Sequence, residues 1–193
     1  SASLTMFPER TAPFQPQDFV FGPATSDHDR DAFFRLRRQV FCGEQGLFIE
    51  DDRDPIDDAM LPIVAKPLLA GIEDRVIGVV RIDERMPGQW FGSRLAVDPP
   101  FRRIRRFSSA TSIRNGQPCR AGLGAIGAAL IHKAVSTALE RGGLSFHAHV
   151  QARNRRFFER LHWRSIEEVS LLGQPHVLME ADLAHYQPTR RVA

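Results

Sequence analysis

The chain has 193 residues, of which 42% are apolar, and this is enough to build the core of one domain. It contains no apolar run of about 18 residues and no charged-then-apolar N-terminal segment, which argues against a membrane span and a signal peptide. Two cysteines, Cys42 and Cys119, are too few and too scattered for a disulfide framework or a zinc site, so we expect no metal and a reduced, cytoplasmic location.

Charged residues are segregated along the chain, although the net charge is only +3. An acidic stretch over 50–58 contrasts with a basic stretch over 101–120, which contains six arginines and no acidic residue. A third, smaller cluster comprises Arg153, Arg155 and Arg156. Such patches are compatible with polyanion recognition, whereas a solvated loop is the simpler interpretation of any single arginine.

The first half of the chain predicts one helix and two strands. Ser26, with Asp29 at the third position, is a predicted N-cap for a helix over 27–41. Apolar runs over 60–72 and 76–82 predict a pair of strands. Two prolines in the first run indicate an irregular or edge strand.

The second half alternates strands with helices around the basic stretch, which has no clear period and is expected to be an inserted loop. The predicted elements are a strand over 90–97, a helix over 124–139, a strand over 146–150, a short helix over 154–163 and a final strand region over 170–182. This order predicts a mixed α/β sheet with helices on both faces.

The predicted boundaries describe a single domain. Residues 1–18, rich in proline and polar groups, are expected to form a loose lead-in. Residues 19–186 form the domain, including the basic insertion at 101–120, and 187–193 form a tail.

Glycines mark the junction between the strand over 90–97 and the helix that follows the basic loop. Gly122, Gly124 and Gly127 allow the backbone to approach a ligand closely. The free N–H groups and positive dipole of a helix start favour a phosphate. Glycine-rich turns alone are a weak signal, whereas the ordered strand, basic loop, glycine-rich helix start, strand and short helix are a stronger one.

With these elements in view, the chain resembles the GNAT superfamily of acyl-CoA N-acyltransferases. The stretch 94–103, followed by 120–127, resembles the strand, loop and helix start that grip the pyrophosphate of CoA. The stretch 151–163 resembles the segment that usually ends in Phe-Tyr-Glu-Lys-Leu-Gly-Phe. The stretches 38–46 and 175–179 resemble a small bacterial branch associated with nitrilase gene clusters and nitrogen starvation.

The resemblance implies a mostly antiparallel sheet in which two parallel strands splay apart and hold acetyl-CoA. The implied contacts to this cosubstrate are Leu95, Ala96, Val97, Arg102, Arg103, Gly122, Gly124, Ala125, Gly127, Asn154, Phe157 and Phe158. The helix start can be aligned on Gly122 and Gly124 or on Ala125 and Gly127, and helix length favours the second. A backbone N–H at Ala96 or Val97 is the implied donor to the thioester carbonyl.

One departure from the family pattern concerns the acid that protonates the departing thiolate. The family usually has a tyrosine where this chain has Phe158, and the only tyrosine, Tyr186, lies near the C-terminus. Because thiol pKa values are about 8.5, a thiolate can leave without much protonation. Activity is therefore still expected, without the usual acid.

Candidate catalytic and acceptor-binding residues follow from strand alternation and from the resemblance. His149 and His147 share one face of their strand, and a histidine has a pKa suited to base catalysis, so His149 is the first candidate base. Glu44 follows the first helix on the expected acceptor side and is the second. Arg94 is a candidate for holding an acceptor carboxylate, although pairing with an acidic residue is slightly favoured. His147 is a weaker candidate for contacting the acceptor.

Three functions are compatible with these features. The first is an N-acetyltransferase that acts on a small-molecule amine by direct attack in a ternary complex. The second is an inactive acyl-CoA sensor, supported by Phe158. The third, a nucleic-acid surface, is weakest because the basic loop has only Phe101 and Phe107 between its arginines. A homodimer is compatible with the exposed sheet edges common in the superfamily.

Overall fold

The computed structural model describes residue 16 and residues 18–104, 108–109 and 123–186. Gly122, Cys119, most of the lead-in and basic insertion, and the tail over 187–193 lie outside these residues. The strands are β1 Asp18–Pro23, β2 Leu61–Leu69, β3 Ile72–Glu73, β4 Gly78–Met86, β5 Gln89–Val97, β6 Ser108–Ser109, β7 Ser145–Gln151, β8 Trp163–Leu171 and β9 Gln174–Ala181. The helices are α1 Asp27–Arg37, α2 Gly124–Glu140 and α3 Arg155–Arg160, with a π-helical segment Arg38–Glu44 after α1. Short 3₁₀ turns cover Pro55–Asp58, Pro99–Phe101, Ala152–Asn154 and Leu183–Tyr186.

All nine described strands form one sheet in the order β6-β1-β2-β4-β5-β7-β9-β8, with β3 beside β2. The pairs β5–β7 and β1–β6 are parallel, and the other pairs are antiparallel. Buried residues of α2 pack on one face of the sheet, and those of α1 pack on the other. This confirms the predicted mixed α/β sheet, mostly antiparallel and flanked by helices on both faces.

The first helix begins as predicted. Ser26 accepts a hydrogen bond from the N–H of Asp29 at 3.0 Å and so caps α1. After Arg37 the helix widens into π-helical turns, and single such turns inside α-helices are frequent at functional sites. The widened segment brings Glu44 and Gln45 to the centre of the sheet.

The expectation that the first apolar run is irregular or an edge strand is wrong, because β2 lies between β1 and β4. Its two prolines sit where a neighbouring strand has ended. The Pro62 carbonyl accepts from Ala24, beyond β1, and the Pro67 carbonyl accepts from Asp74, beyond the last β2–β4 pair. In a strand, the backbone N and O of one residue point to the same neighbouring strand. The side on which each proline lacks an N–H is therefore the side where that neighbouring strand has already ended, so no hydrogen bond between paired strands is lost.

The C-terminal region contains two strands where one, possibly interrupted, was expected over 170–182. The short helix ends at Arg160, and β8 begins at Trp163 before the chain turns at Gly173 into β9. Most residues of β8 are exposed, because it is the edge strand of this side of the sheet. Its sequence therefore lacks the alternation that marks a half-buried strand.

Among the described residues, no helix is both long enough and apolar enough to cross a membrane.

Candidate active site

The two central parallel strands separate at their C-terminal ends. The pairing of β5 with β7 runs from Gln89–Ser145 to Gly92–Ala148 and then stops. Beyond that point β5 continues for five residues to Val97, still paired with β4 on its other side. The gap between the strands therefore leaves one edge of β5 without a neighbouring strand, as the resemblance implied.

A β-bulge in β5 lies at the start of this gap. Val79 pairs with Ala96 and Arg81 pairs with Ser93, so β5 has one extra residue relative to β4 between these positions. Arg94 lies in this bulge with a φ of 54°, in the left-handed region that side chains rarely adopt. Because a bulge bends its strand and increases the twist, it accounts for the separation of β5 from β7.

A cavity of about 620 Å³ occupies the gap and reaches both faces of the sheet. Its size is typical of a small-molecule or cosubstrate site. The predicted residues Glu44, Arg94, Leu95, Ala96, Val97, Arg102, His149, Asn154 and Phe158 all lie in its wall. Gly124, Ala125, Gly127 and Phe157 are buried but do not line the cavity, and neither do His147 and the exposed Arg103.

The free edge of β5 presents N–H groups to the gap at alternate residues. Asp98 donates its N–H to the carbonyl of Ile77, on the β4 side. Alternation along the strand then turns the N–H of Ala96 towards β4 and those of Leu95 and Val97 towards the gap. Of the two donors that the sequence left open, Val97 is the one whose N–H faces the cavity.

The end of the π-helical segment bridges the gap on the α1 face. Glu44 receives two hydrogen bonds from Arg102, which follows β5, and the Nη2–Oε2 distance is 2.7 Å. Its neighbour Gln45 accepts from the side chain of Gln151, at the end of β7, at 2.8 Å. Two consecutive residues thus connect the ends of both separated strands.

The pairing with Arg102 affects the chemistry of Glu44. The hydrogen bonds from Arg102 lower the pKa of the Glu44 carboxyl, and this outweighs the opposing effect of burial. Arg102 is also held by the carbonyl of Val97, to which its Nε donates at 2.8 Å. Glu44 is therefore an ionised partner of an arginine at the mouth of the cavity.

The start of α2 packs tightly against the loop after β5. Gly124 has a φ of 62°, and a Cβ at this position would overlap the carbonyl oxygen of Arg102. The N–H of Ala125 donates to the carbonyl of Ile104 at 3.2 Å. A glycine is required here for backbone conformation and for close approach, and it fixes the loop that carries Arg102.

A buried ionic cluster lies beneath the α1 face of the cavity. It comprises Arg37, Arg81, Arg94, Asp52, Asp54 and Asp57. Arg37 donates to Asp52 at 2.8 Å and to Asp57 at 2.6 Å, and both Arg37 and Asp52 are fully buried. Arg94 donates to the side chain and the carbonyl of Asp52. The cluster supports the bulge, because it holds the side chain of the strained Arg94.

The two histidines of β7 have different surroundings. His149 faces the cavity and is exposed there, and partial burial, with additional contributions from Arg85 and His176, lowers its pKa. It is therefore neutral at pH 7 and can accept a proton. His147 lies 3.4 Å from Glu180 across the β7–β9 pair, outside the cavity. Both rings stack on Phe91.

The aromatic residues near the gap contribute packing and do not supply a proton donor. Phe158 lines the cavity and packs edge-to-face on Trp163, with ring centroids 5.1 Å apart. Tyr186 is buried elsewhere: it accepts from the Trp163 indole at 2.9 Å and donates to the carbonyl of Leu161. Burial raises the pKa of Tyr186. Because its hydroxyl is bonded to Trp163 and Leu161 and the residue does not line the cavity, it does not stand in for the usual acid.

The sequence analysis did not identify several residues at the cavity, although the sequence around some of them contains an indication. Arg81 lies between Val80 and Ile82 in the buried first part of β4, which is unusual for an arginine unless it is paired. The stretch over 50–58 stood out in the sequence only as acidic, yet it folds inward as the partner of three arginines. Ile131 and Ala134 had no signal, because their helical spacing is that of any core-facing residue.

No protein-family model and no curated protein matches the chain, whereas many solved structures do. A Lactobacillus plantarum protein described as an N-acetyltransferase is 21% identical, with a TM-score of 0.67 over 86% of this chain and 99% of that one. FeeM, an N-acyl amino acid synthase from uncultured soil microbes, is 14% identical, with a TM-score of 0.62 over 87% and 92%. An acetyltransferase of the GNAT family from Staphylococcus aureus Mu50 is 12% identical, with a TM-score of 0.58 over 86% and 99%. Similarity at these identities is similarity of fold, and the fold of this chain is that of the GNAT acetyltransferases.

Proposed function

We propose that the protein is a CoA-dependent N-acyltransferase that transfers an acyl group to the amine of a small molecule. The observation that carries this proposal is the gap between β5 and β7, with an unpaired strand edge on one side and a cavity that crosses the sheet. The GNAT fold of the neighbours supports it. Acetyl-CoA is the smallest donor that the proposal includes, and the nitrilase-associated branch is proposed on the residue pattern alone.

The residues around the gap fit a CoA ester. The N–H group of Leu95 would pair with an amide carbonyl of pantetheine, as in the addition of a peptide strand, and that of Val97 is left for the thioester carbonyl. Arg102 and Arg153 lie at the mouth, where the cation of either would attract the pyrophosphate. The start of α2 adds its positive dipole nearby.

The reaction would be a direct attack. His149 takes a proton from the acceptor amine as the nitrogen bonds to the thioester carbonyl carbon. The N–H of Val97 donates to the oxygen on which negative charge develops. The carbon–sulfur bond then breaks, the thiolate leaves with the electron pair, and it is protonated from solvent. Glu44 is the second candidate base, held as a carboxylate by Arg102.

The alternative is a CoA-ester sensor without catalysis. Phe158 supports it, because this residue lies in the cavity wall at the position where the family usually has its tyrosine acid. The two proposals agree on binding and differ on turnover. The cavity polar groups, with His149 neutral and facing the gap, favour the enzyme.

Calorimetric titration with acetyl-CoA, followed by a thiol-release assay with pooled small amines, tests the proposal. Binding with amine-dependent release of CoA is the expected result. Binding without release from any amine would support the sensor instead. No binding of CoA or its esters would contradict both.

A further inference from the structure

The cavity wall on the α2 face is apolar throughout. It includes Val80, Ile131, Ala134, Phe146, Phe158 and Trp163, all of them buried. The charged side chains of the wall lie on the α1 face or at the mouth, as the contacts of Arg81, Arg94 and Arg102 show. We call the space behind the gap, enclosed by these six apolar residues, the acyl chamber.

The acyl chamber extends well past the gap. Helix α2 begins near the open end of the gap and leads away from it along the sheet. The residues of this region that line the cavity extend from Leu123 to Ala134. This corresponds to about 16 Å at about 1.5 Å per residue. On β7 the wall reaches Phe146, two residues before Ala148, where pairing with β5 ends. The space therefore continues beneath the paired part of the sheet, in a region where protein interiors are normally close-packed.

The far wall of the acyl chamber is preformed. Phe146 and Phe158 both pack edge-to-face on Trp163, with ring centroids 5.7 Å and 5.1 Å away. The Trp163 indole is fixed by its hydrogen bond to Tyr186, whose hydroxyl is fixed in turn by Leu161. Ala134 and Ala148 contribute only methyl groups to the wall and leave room between the larger side chains.

We propose that the acyl chamber binds the acyl chain of the donor, and that the preferred donor is a CoA ester of a medium-length fatty acid. This inference rests on the proposed function, because the thioester must lie in the gap for its chain to enter the chamber. An acetyl group would end at the gap and leave the apolar space behind it unfilled. A flexible, uncharged chain is the ligand chemistry that an apolar and enclosed wall recognises.

The test is calorimetric titration of the full chain with CoA, acetyl-CoA and octanoyl-CoA. Full burial of a methylene group strengthens binding up to about fourfold, so even partial burial of the six extra groups predicts at least tenfold tighter binding of octanoyl-CoA than of acetyl-CoA. Equal or weaker binding of octanoyl-CoA would overturn the inference and leave the proposed function intact. Failure of all three ligands to bind would overturn the proposed function itself.

Two matched substitutions locate the effect. A134M places a longer side chain in the acyl chamber and is expected to remove the advantage of octanoyl-CoA while acetyl-CoA still binds. A138M makes the same change one turn later on α2, at a buried alanine outside the cavity wall, and is expected to retain the advantage. An unchanged advantage in folded A134M would place the chain elsewhere and overturn the inference. The wild-type series decides the question even if A134M does not fold.

Discussion

His149 is the residue on which the proposed chemistry most depends. Its ring faces the cavity on the α1 side, where an acceptor amine could approach the thioester from across the gap. Burial and the nearby Arg85 and His176 lower its pKa, so the neutral form that can accept a proton predominates at pH 7. The neighbouring His147 shares its strand face but contacts Glu180 instead.

Replacement of His149 by glutamine should lower kcat by roughly a hundredfold or more, the usual contribution of a general base. In the wild type, kcat/KM should fall at low pH with a midpoint below about 6.5, because the lowered pKa keeps the base active until that point. This acid limb should be absent in the variant. Initial rates across a pH series measure both effects.

His147→Gln is the matched control for this substitution. We expect it to retain kcat within about threefold, because His147 lies outside the cavity and contacts Glu180. An equal loss in the two variants would mean that the strand, rather than the base, had been damaged.

The roles of Glu44 and His149 can be distinguished by the kinetic parameter that changes when each residue is replaced. A carboxylate held by two hydrogen bonds from Arg102, with a lowered pKa, is a poor proton acceptor. Glu44→Gln should therefore change KM for the CoA ester, through Arg102, and leave kcat within about threefold. A large fall in kcat at unchanged KM would instead make Glu44 the base.

At the scale of elements, the junction between the β5 loop and α2 determines how the mouth of the cavity is built. Gly124 and Gly46 both have a φ of 62°, but only Gly124 has backbone within reach of an added Cβ. The two positions therefore separate the cost of the left-handed conformation from the cost of a clash.

Gly46→Ala should destabilise the protein by about 1–2 kcal/mol, the cost of the left-handed region for a residue with a Cβ. Gly124→Ala should cost more, because the added atom overlaps the Arg102 carbonyl, and it should also raise KM for the CoA ester by moving Arg102. Chemical denaturation and steady-state kinetics of both variants provide the comparison. Equal destabilisation and equal KM in the two would show that the junction does not position Arg102.

The elements themselves were predictable from sequence to the extent that local patterns determine them. The Ser26 cap, the strands β2 and β4 and the helix α2 follow from capping, branched residues and helical spacing. The edge strand β8 was missed because its exposed polar residues lack alternation. The bulge at Arg94 has no local signal, since it arises from pairing with β4 and from the buried ionic cluster.

The residues of the candidate site could be predicted where they belong to a sequence motif. They could not be predicted where the fold brings together residues that are far apart in sequence. Residues Leu95 to Val97, Arg102, Asn154 and Phe158 were placed in the wall by their resemblance to a known segment. The bridge from Gln45 to Gln151 joins residues far apart in sequence, and nothing local indicates it. The inward fold of the acidic stretch likewise depends on arginines from three other elements.

At the scale of the whole molecule, the buried ionic cluster ties α1, β4 and β5 to the acidic stretch. Arg37→Met should destabilise the protein by about 3 kcal/mol, because Asp52 and Asp57 each lose one of their two arginine partners and keep only Arg94 and Arg81. Arg155→Met removes an exposed i,i+4 pair and should cost about 0.5 kcal/mol or less. Urea denaturation at pH 7 compares them, and a similar small loss in both would contradict a structural role for the cluster.

The same cluster predicts sensitivity to acid. Burial alone would raise the pKa of Asp57, but hydrogen bonds from Arg37 and the Asp54 backbone, with the nearby charges, lower it to about 2. A carboxyl with a lowered pKa stabilises the fold fully above about pH 4 and loses that contribution as the pH falls towards 2. Urea midpoints should therefore decrease between pH 4 and 2, and less steeply in Arg37→Met.

The central claim is that a CoA-linked acyl group lies in the gap between β5 and β7. Amide hydrogen exchange with and without saturating acetyl-CoA tests it directly, because the N–H groups of Leu95 and Val97 face the gap and that of Ala96 faces β4. Slower exchange at Leu95 and Val97, with Ala96 unchanged as the internal control, is the predicted result. Binding of acetyl-CoA that leaves both edge amides unprotected would contradict the account.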